Sequence, residues 1–184
     1  MRVARIVAAG RVTRVTQYQV DAFARRRYEG NPAAVVLLQG RQWPSDLTMQ
    51  RIANENNLSE TAYVLREGDR GPGPLPLRWF TPEAEVDLCG HATLATAHVV
   101  FTKVLDANLK AGQVDEIVFE TRSGDLFVER TQSQSEDSKA YRMTFPIVPT
   151  TDDIPLQVAE DAKEACAAEV RGATSQMSFQ SHHD

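Results

Sequence analysis

Asp87-Leu88-Cys89-Gly90-His91-Ala92-Thr93 places a thiol, a glycine and an imidazole where an acidic loop runs into an alanine-rich helix. Free N–H groups and the positive end of the helix dipole favour negative charge there, so the stretch suits holding a carboxylate or moving a proton. A thiol at a helix N-terminus is expected to lose pKa, which makes Cys89 a candidate acid/base. Gly90 lets a substrate approach the backbone, and His91 can hydrogen-bond a substrate or relay a proton. The structural alternative has Cys89 as a small buried hydrophobe, Gly90 as a packing residue and His91 as a cap. A second carboxyl candidate lies upstream in Asn56-Asn57-Leu58-Ser59-Glu60-Thr61. Glu60 stands where a helix ends and an apolar strand begins. Partial desolvation at that junction raises a carboxyl pKa and suits general acid/base work. Its alternative is an exposed strand-edge glutamate.

The remaining reactive clusters are read as bland. Arg25-Arg26-Arg27 reads as a solvated loop face rather than an anion site. His182-His183 reads as tail rather than metal site, and no metal is expected anywhere in the chain. Cys89 and Cys166 make neither a disulfide framework nor a zinc site, and a reducing, cytoplasmic setting fits them. No phosphate-binding loop, dinucleotide fingerprint or serine nucleophile elbow is present. The net charge of −5 argues against a nucleic-acid partner. It is unevenly spread: residues 1–30 hold seven Arg and two acids, so +5, and the remainder is −10. No apolar run reaches the roughly eighteen residues of a membrane span. The arginines before residue 15 give a mitochondrial alternative, but a frayed basic extension over residues 1–14 is the simpler expectation.

The elements that must position these residues follow from local patterning. Val15 to Phe23 alternates as a strand, and Gly30-Asn31-Pro32 is a turn before a short strand, Ala33 to Leu38, buried on both faces. Ser45 caps a helix that Asn56-Asn57 ends, and Leu58 to Leu65 is the next strand. Residues 68–76 read as a loop, Leu77 to Phe80 as a strand stopped by Pro82, and residues 88–102 as the second helix. Ile117 to Glu120 and Leu126 to Glu129 flank Ser123-Gly124, a hairpin signal, and Tyr141 to Phe145 is the last strand. This is an α+β lobe over residues 15–150, with a mixed, curved sheet wrapped around the second helix. Residues 151–184 thin into a tail, with Ala159 to Val170 as its one helical stretch.

Five motifs then stand in register: Asp21-Ala22-Phe23, Gly30-Asn31-Pro32-Ala33-Ala34-Val35, Asn57-Leu58-Ser59-Glu60-Thr61, Arg78-Trp79-Phe80-Thr81-Pro82 and Glu85-Val86-Asp87-Leu88-Cys89-Gly90-His91-Ala92-Thr93. In order and spacing they resemble the PhzF family, the phenazine biosynthesis-like isomerases. The resemblance implies the diaminopimelate epimerase-like fold, in which two similar lobes face each other across a cleft. It implies that Glu60 is the proton-shuttling catalytic residue and that Gly90, His91 and Ala92 bind substrate. It further implies a cofactor-independent proton transfer at carbon on a small carboxylated metabolite; the family's best understood substrate is a dihydro-hydroxyanthranilate.

Cys89 sits where the related epimerases and racemases place one catalytic cysteine, so a cysteine-dependent epimerase or racemase stays open. The second lobe normally supplies an active-site aspartate and a glycine-rich segment. Neither is found, since Val170 to Ser175 is only superficially glycine-rich. The expectation is therefore one lobe with the second lobe missing, inactive alone or completed by a homodimer. A non-catalytic interaction module is the competing class.

Overall fold

The computed structural model describes residues 2–8, 11–24, 29–66, 73–106, 114–131, 139–145 and 178–179; for residues 2–13, 139 and 178–179 the description covers backbone alone. The chain runs β1 (Arg2–Ala8), β2 (Arg11–Ala22), β3 (Asn31–Gln39), α1 (Asp46–Asn56), β4 (Glu60–Arg66), β5 (Leu75–Phe80), β6 (Glu85–Val86) and α2 (Gly90–Val99), which continues as a π-helical turn over Val100–Leu105. It closes with β7 (Glu116–Thr121), β8 (Gly124–Thr131), β9 (Lys139–Thr144) and β10 (Ser178–Phe179).

These strands make one sheet in the order β1-β2-β3-β4-β5-β7-β8-β9-β10, with β6 on β5. Two pairings are parallel, β3 with β4 and β5 with β7; the rest are antiparallel. A parallel pair needs a crossover, and α1 and α2 lie in the two crossover segments. Helix α2 packs against β2, β3, β4 and β9, so the sheet curls around it.

Alternation sorts the central strands between two cores. Ala33, Val35, Ala62, Val64, Leu77 and Trp79 face α2. Val36, Leu38, Tyr63, Leu65 and Phe80 face Met49 and Ala53 of α1. Strands β3 and β4 are thus buried on both faces, as the continuous apolar run in β3 predicts. Tyr63 donates its buried hydroxyl to the Met49 carbonyl at 2.7 Å and meets Phe80 edge to face, fastening α1 to the sheet. Helix α1 has the expected ends. The Ser45 hydroxyl accepts from the Thr48 N–H at 3.2 Å, and Asn57 stops the helix in the left-handed region with φ 49°.

Every residue of α2 from Ala92 to Val99 is buried. A helix hydrophobic all round can form the centre of a lobe. Its threonines are satisfied by the preceding turn: Thr93 donates to the Cys89 carbonyl at 2.6 Å and Thr96 to the Ala92 carbonyl at 2.7 Å. His98 reaches the Tyr141 hydroxyl on β9 at 3.0 Å.

Four expectations are corrected. The α-helix spans Gly90–Val99 rather than 88–102, because Cys89 is extended (φ −146°) and the chain widens into a π-turn after Val99. That wider turn keeps Val100, Phe101 and Val104 all buried, with Phe101 stacked on Tyr141. The basic stretch expected to fray instead pairs as β1 with β2, from Arg2 opposite Gln17 to Ala8 opposite Arg11. Glu85–Val86 forms a strand on β5 where a loop was read. In the expected tail, Ser178–Phe179 pairs with Lys139–Ala140. The helix read over Ala159 to Val170, together with Arg25 to Arg27, Cys166 and His182-His183, lies outside the described residues.

Candidate active site

Two anchored junctions bring the candidate residues together. Glu60 is the first residue of β4, three positions after the Asn57 cap. The junction is pinned from α1: Asn56 donates to Thr61 Oγ1 at 3.0 Å and accepts from the buried Gln17 side chain at 2.9 Å. The second junction is the loop from β6 into α2. Arg78 on β5 grips Glu85 through two 2.6 Å hydrogen bonds, Arg122 reaches the same carboxylate at 2.8 Å, and Ser123 donates to the Asp87 carbonyl at 2.8 Å. Bidentate guanidinium–carboxylate pairing fixes both groups in orientation as well as distance. The β7–β8 turn thereby holds the strand that delivers Cys89.

The ligating atoms of Glu60, Cys89 and His91 lie within 4.8 Å of one another. His91 Nε2 approaches Glu60 Oε2 at 3.1 Å, and His91 Nδ1 approaches the Cys89 sulfur at 3.4 Å. The carboxylate and the thiol thus address different nitrogens of one ring. That arrangement suits a hydrogen-bonded chain across the imidazole better than one ion shared by three donors. The Glu60–His91 approach lacks hydrogen-bonding alignment, and Oε2, shielded from solvent, has no hydrogen-bond partner among the described residues.

The titration behaviour separates the roles. Burial lowers the His91 pKa below the ordinary 6.5 and outweighs the opposing pull of the Glu60 carboxylate, so the ring is neutral at neutral pH. The close His91–Glu60 pair is therefore a neutral imidazole beside a carboxyl group rather than an ion pair. Burial likewise pushes the Cys89 thiol up to about 12, and Glu60 adds to the rise. This overturns the expected drop. The backbone N–H groups of Ala92 and His91 do pull the thiol down, as a helix start should, but Cys89 is only 8% exposed and burial wins.

Gly90 and His91 open α2 beside this cluster, whereas Ala92 is fully buried and its backbone N–H hydrogen-bonds the Cys89 sulfur. A Cβ on Gly90 would stand 2.9 Å from the ring of Phe145, a half-exposed side chain after β9 that covers the helix start. Ser59 was not singled out from the sequence. Its hydroxyl lies 3.1 Å from His91 Nε2, 3.0 Å from the Pro32 carbonyl and 3.1 Å from Asn31 Oδ1. The Gly30 turn (φ 96°) brings Asn31 and Pro32 there; any Cβ at Gly30 would meet the Ala22 carbonyl at 2.4 Å. The only signal for Ser59 was its place next to Glu60 in the third motif.

A mixed sheet rolled around one buried helix is a lobe of the diaminopimelate epimerase-like fold. A predicted epimerase of Pseudomonas aeruginosa shares that fold at TM-score 0.53 and 22% identity, over 68% of this chain and 41% of that one. The sequence profile of the phenazine biosynthesis-like PhzC-PhzF family matches residues 20–183, and the chain belongs to that family. It is 53% identical over 133 residues to an uncharacterised isomerase of Pseudomonas aeruginosa, covering 72% of this chain and 44% of that protein. It is 43% identical over 116 residues to the human phenazine biosynthesis-like domain-containing protein, covering 61% of this chain and 38% of that protein. Among solved structures it is similar to a phenazine biosynthesis PhzC/PhzF protein of Clostridium difficile, at TM-score 0.55 and 44% identity over 79% of this chain and 50% of that one. The chain spans less than half the length of these curated relatives.

Proposed function

We propose that this lobe serves an isomerase that moves a proton between carbon atoms of a small carboxylated metabolite. Glu60 is the acid/base, and Gly90 and His91 position the substrate at the start of α2. The observation that carries this reading is the convergence of Glu60 and His91, from chain positions thirty-one apart, at the half-buried start of a helix that is buried from Ala92 onward. A carboxyl group shielded on one side and open on the other can take a proton from a carbon and return it to a neighbour. The positive end of the α2 dipole suits the substrate's carboxylate.

Solvent deuterium incorporation is the direct test, with a dihydro-hydroxyanthranilate and related small acids as probes. Wild-type chain should promote incorporation, and Glu60→Gln should slow it at least about a hundredfold, the usual contribution of a general acid/base. Exchange that survives Glu60→Gln unchanged removes Glu60 from the mechanism. Absence of exchange with every probe favours the competing reading, a lobe that keeps its fold as an interaction module.

Half of the cleft wall is supplied by this lobe, so the reading includes a second copy of the chain facing the first. Leu88 at 37% exposure and Phe145 at 45% flank the helix start and form apolar surface for that contact. The raised Cys89 pKa weighs against the cysteine-dependent racemase, which needs a thiolate. A cytoplasmic setting belongs to the same reading. Among the described residues no helix is long and apolar enough to cross a membrane.

A further inference from the structure

We propose that Ser59 is a positioning residue that holds His91 in the Nε2–H tautomer, with the Cys89 thiol as hydrogen-bond donor to the other ring nitrogen. The inference rests on His91 being a working group of the site, as proposed above, but its spectroscopic test stands without any activity.

Ser59 Oγ has one hydrogen and three neighbours: the Pro32 carbonyl at 3.0 Å, Asn31 Oδ1 at 3.1 Å and His91 Nε2 at 3.1 Å. A carbonyl oxygen only accepts, so the Pro32 carbonyl takes a proton from Ser59 or from the His91 ring, which also hydrogen-bonds to it, and either way the ring nitrogen on this side carries the proton. A hydroxyl that donates toward the β2–β3 turn presents its lone pairs to Nε2, so Nε2 must carry the proton. Glu60 Oε2 stands 3.1 Å from the same nitrogen. A bare Nε2 would set its lone pair against two oxygens, and a protonated one attracts both. On the opposite edge of the ring Nδ1 faces the Cys89 sulfur at 3.4 Å. A protonated thiol can donate weakly there, and that requires a bare Nδ1. Each neighbour therefore asks for the same tautomer.

Ser59 is the side chain that acts with the Pro32 carbonyl on this edge of the ring. The Glu60 contact is short yet unaligned for a hydrogen bond, whereas Ser59 meets hydrogen-bond geometry. Ser59 also ties the ring to the β2–β3 turn, on a strand pair remote in sequence from α2. A ring held in one tautomer donates from Nε2 toward the Glu60 side of the cluster. Its bare nitrogen is turned to the thiol, away from the carboxyl group that is to move protons.

The test is long-range 1H–15N correlation of the imidazoles in histidine-labelled full chain at neutral pH, with His91 assigned by the signals missing in His91→Gln. Wild type should show one unaveraged species, Nε2 protonated and Nδ1 bare. Ser59→Ala should give an averaged pair of nitrogens, with the tautomer ratio lowered several-fold, and Ser59→Thr should restore the wild-type pattern. Because Ser59 is exposed, Ser59→Ala is expected to fold. Should it not, Ser59→Thr and wild type still decide, since a protonated Nδ1 in either overturns the proposal. An unchanged ratio in folded Ser59→Ala overturns it too. Loss of deuterium exchange in Glu60→Gln with an intact tautomer leaves Ser59 in its role, and failure of exchange in wild type bears on the reaction alone.

Discussion

At the scale of single residues, one cysteine shows how burial can reverse a local rule. Cys89 caps α2, and the helix end does draw its pKa down through the backbone N–H groups of His91 and Ala92. Desolvation is larger and carries the thiol from an ordinary 9.0 to about 12. A thiol reacts as thiolate, and raising the pKa removes thiolate at every pH below the new value. At neutral pH Cys89 therefore carries about a thousandfold less thiolate than an ordinary thiol. In a Cys166→Ser background, iodoacetamide should label Cys89 far more slowly than free cysteine at pH 7, with a rate still climbing above pH 9. Rapid labelling at pH 7 would contradict the burial argument. Glu60 and His91 were both legible as candidates from their motifs. Their 3.1 Å approach was not, since it depends on two junctions that meet only after the sheet has curled.

At the scale of elements, the two helices draw their stability from different sources. Helix α1 is half exposed and relies on its ends, so Ser45→Ala should lower the unfolding free energy by about 1 kcal/mol, read by urea titration. Helix α2 relies on packing: its leucine, Leu94, is fully buried within the main core. Leu94→Ala should therefore lower the unfolding free energy by about 2–5 kcal/mol in the same titration, clearly more than the cap change. Equal losses at the two positions would mean that α2 is not the centre of the lobe. Capping signals made the start and end of α1 readable to the residue. The end of α2 was misread because nothing in Val99-Val100-Phe101-Thr102 signals a π-turn. That geometry answers to Phe101 stacking on Tyr141, forty residues on, and to Arg130 lying 4.3 Å over the Phe101 ring. Short Glu85–Val86 was missed for a similar reason: two residues carry no period, and the strand exists because Glu85 is held between Arg78 and Arg122.

At the scale of the whole molecule, the lobe places its reactive residues at a rim. The helix start, Leu88 and Phe145 all lie where a facing lobe would close the cleft in the proposed arrangement. Proton transfer at carbon gains from exclusion of water, and one rim excludes it from one side. Sedimentation of the chain at micromolar concentration should give a dimer, and Phe145→Asp should shift it toward monomer without loss of the fold. A monomeric wild type at that concentration removes the two-copy arrangement and leaves the chemistry of Glu60 to be judged on exchange alone.

Motifs, caps and alternation by themselves determined the class of this lobe, the order of its main strands and the identities of Glu60, Gly90 and His91 as candidates. Those signals are local, and the physics behind them acts over one turn of helix or one strand. Only the tertiary structure decided that Cys89 is a buried, protonated thiol, that Ser59 belongs to the cluster, and that the Ala92 side chain is fully buried. Each of those outcomes depends on desolvation or on a contact across the sheet. Neither can be computed from neighbours in sequence, because the groups responsible — the β2–β3 turn, β4 and the start of α2 — come together only when the sheet wraps its helix.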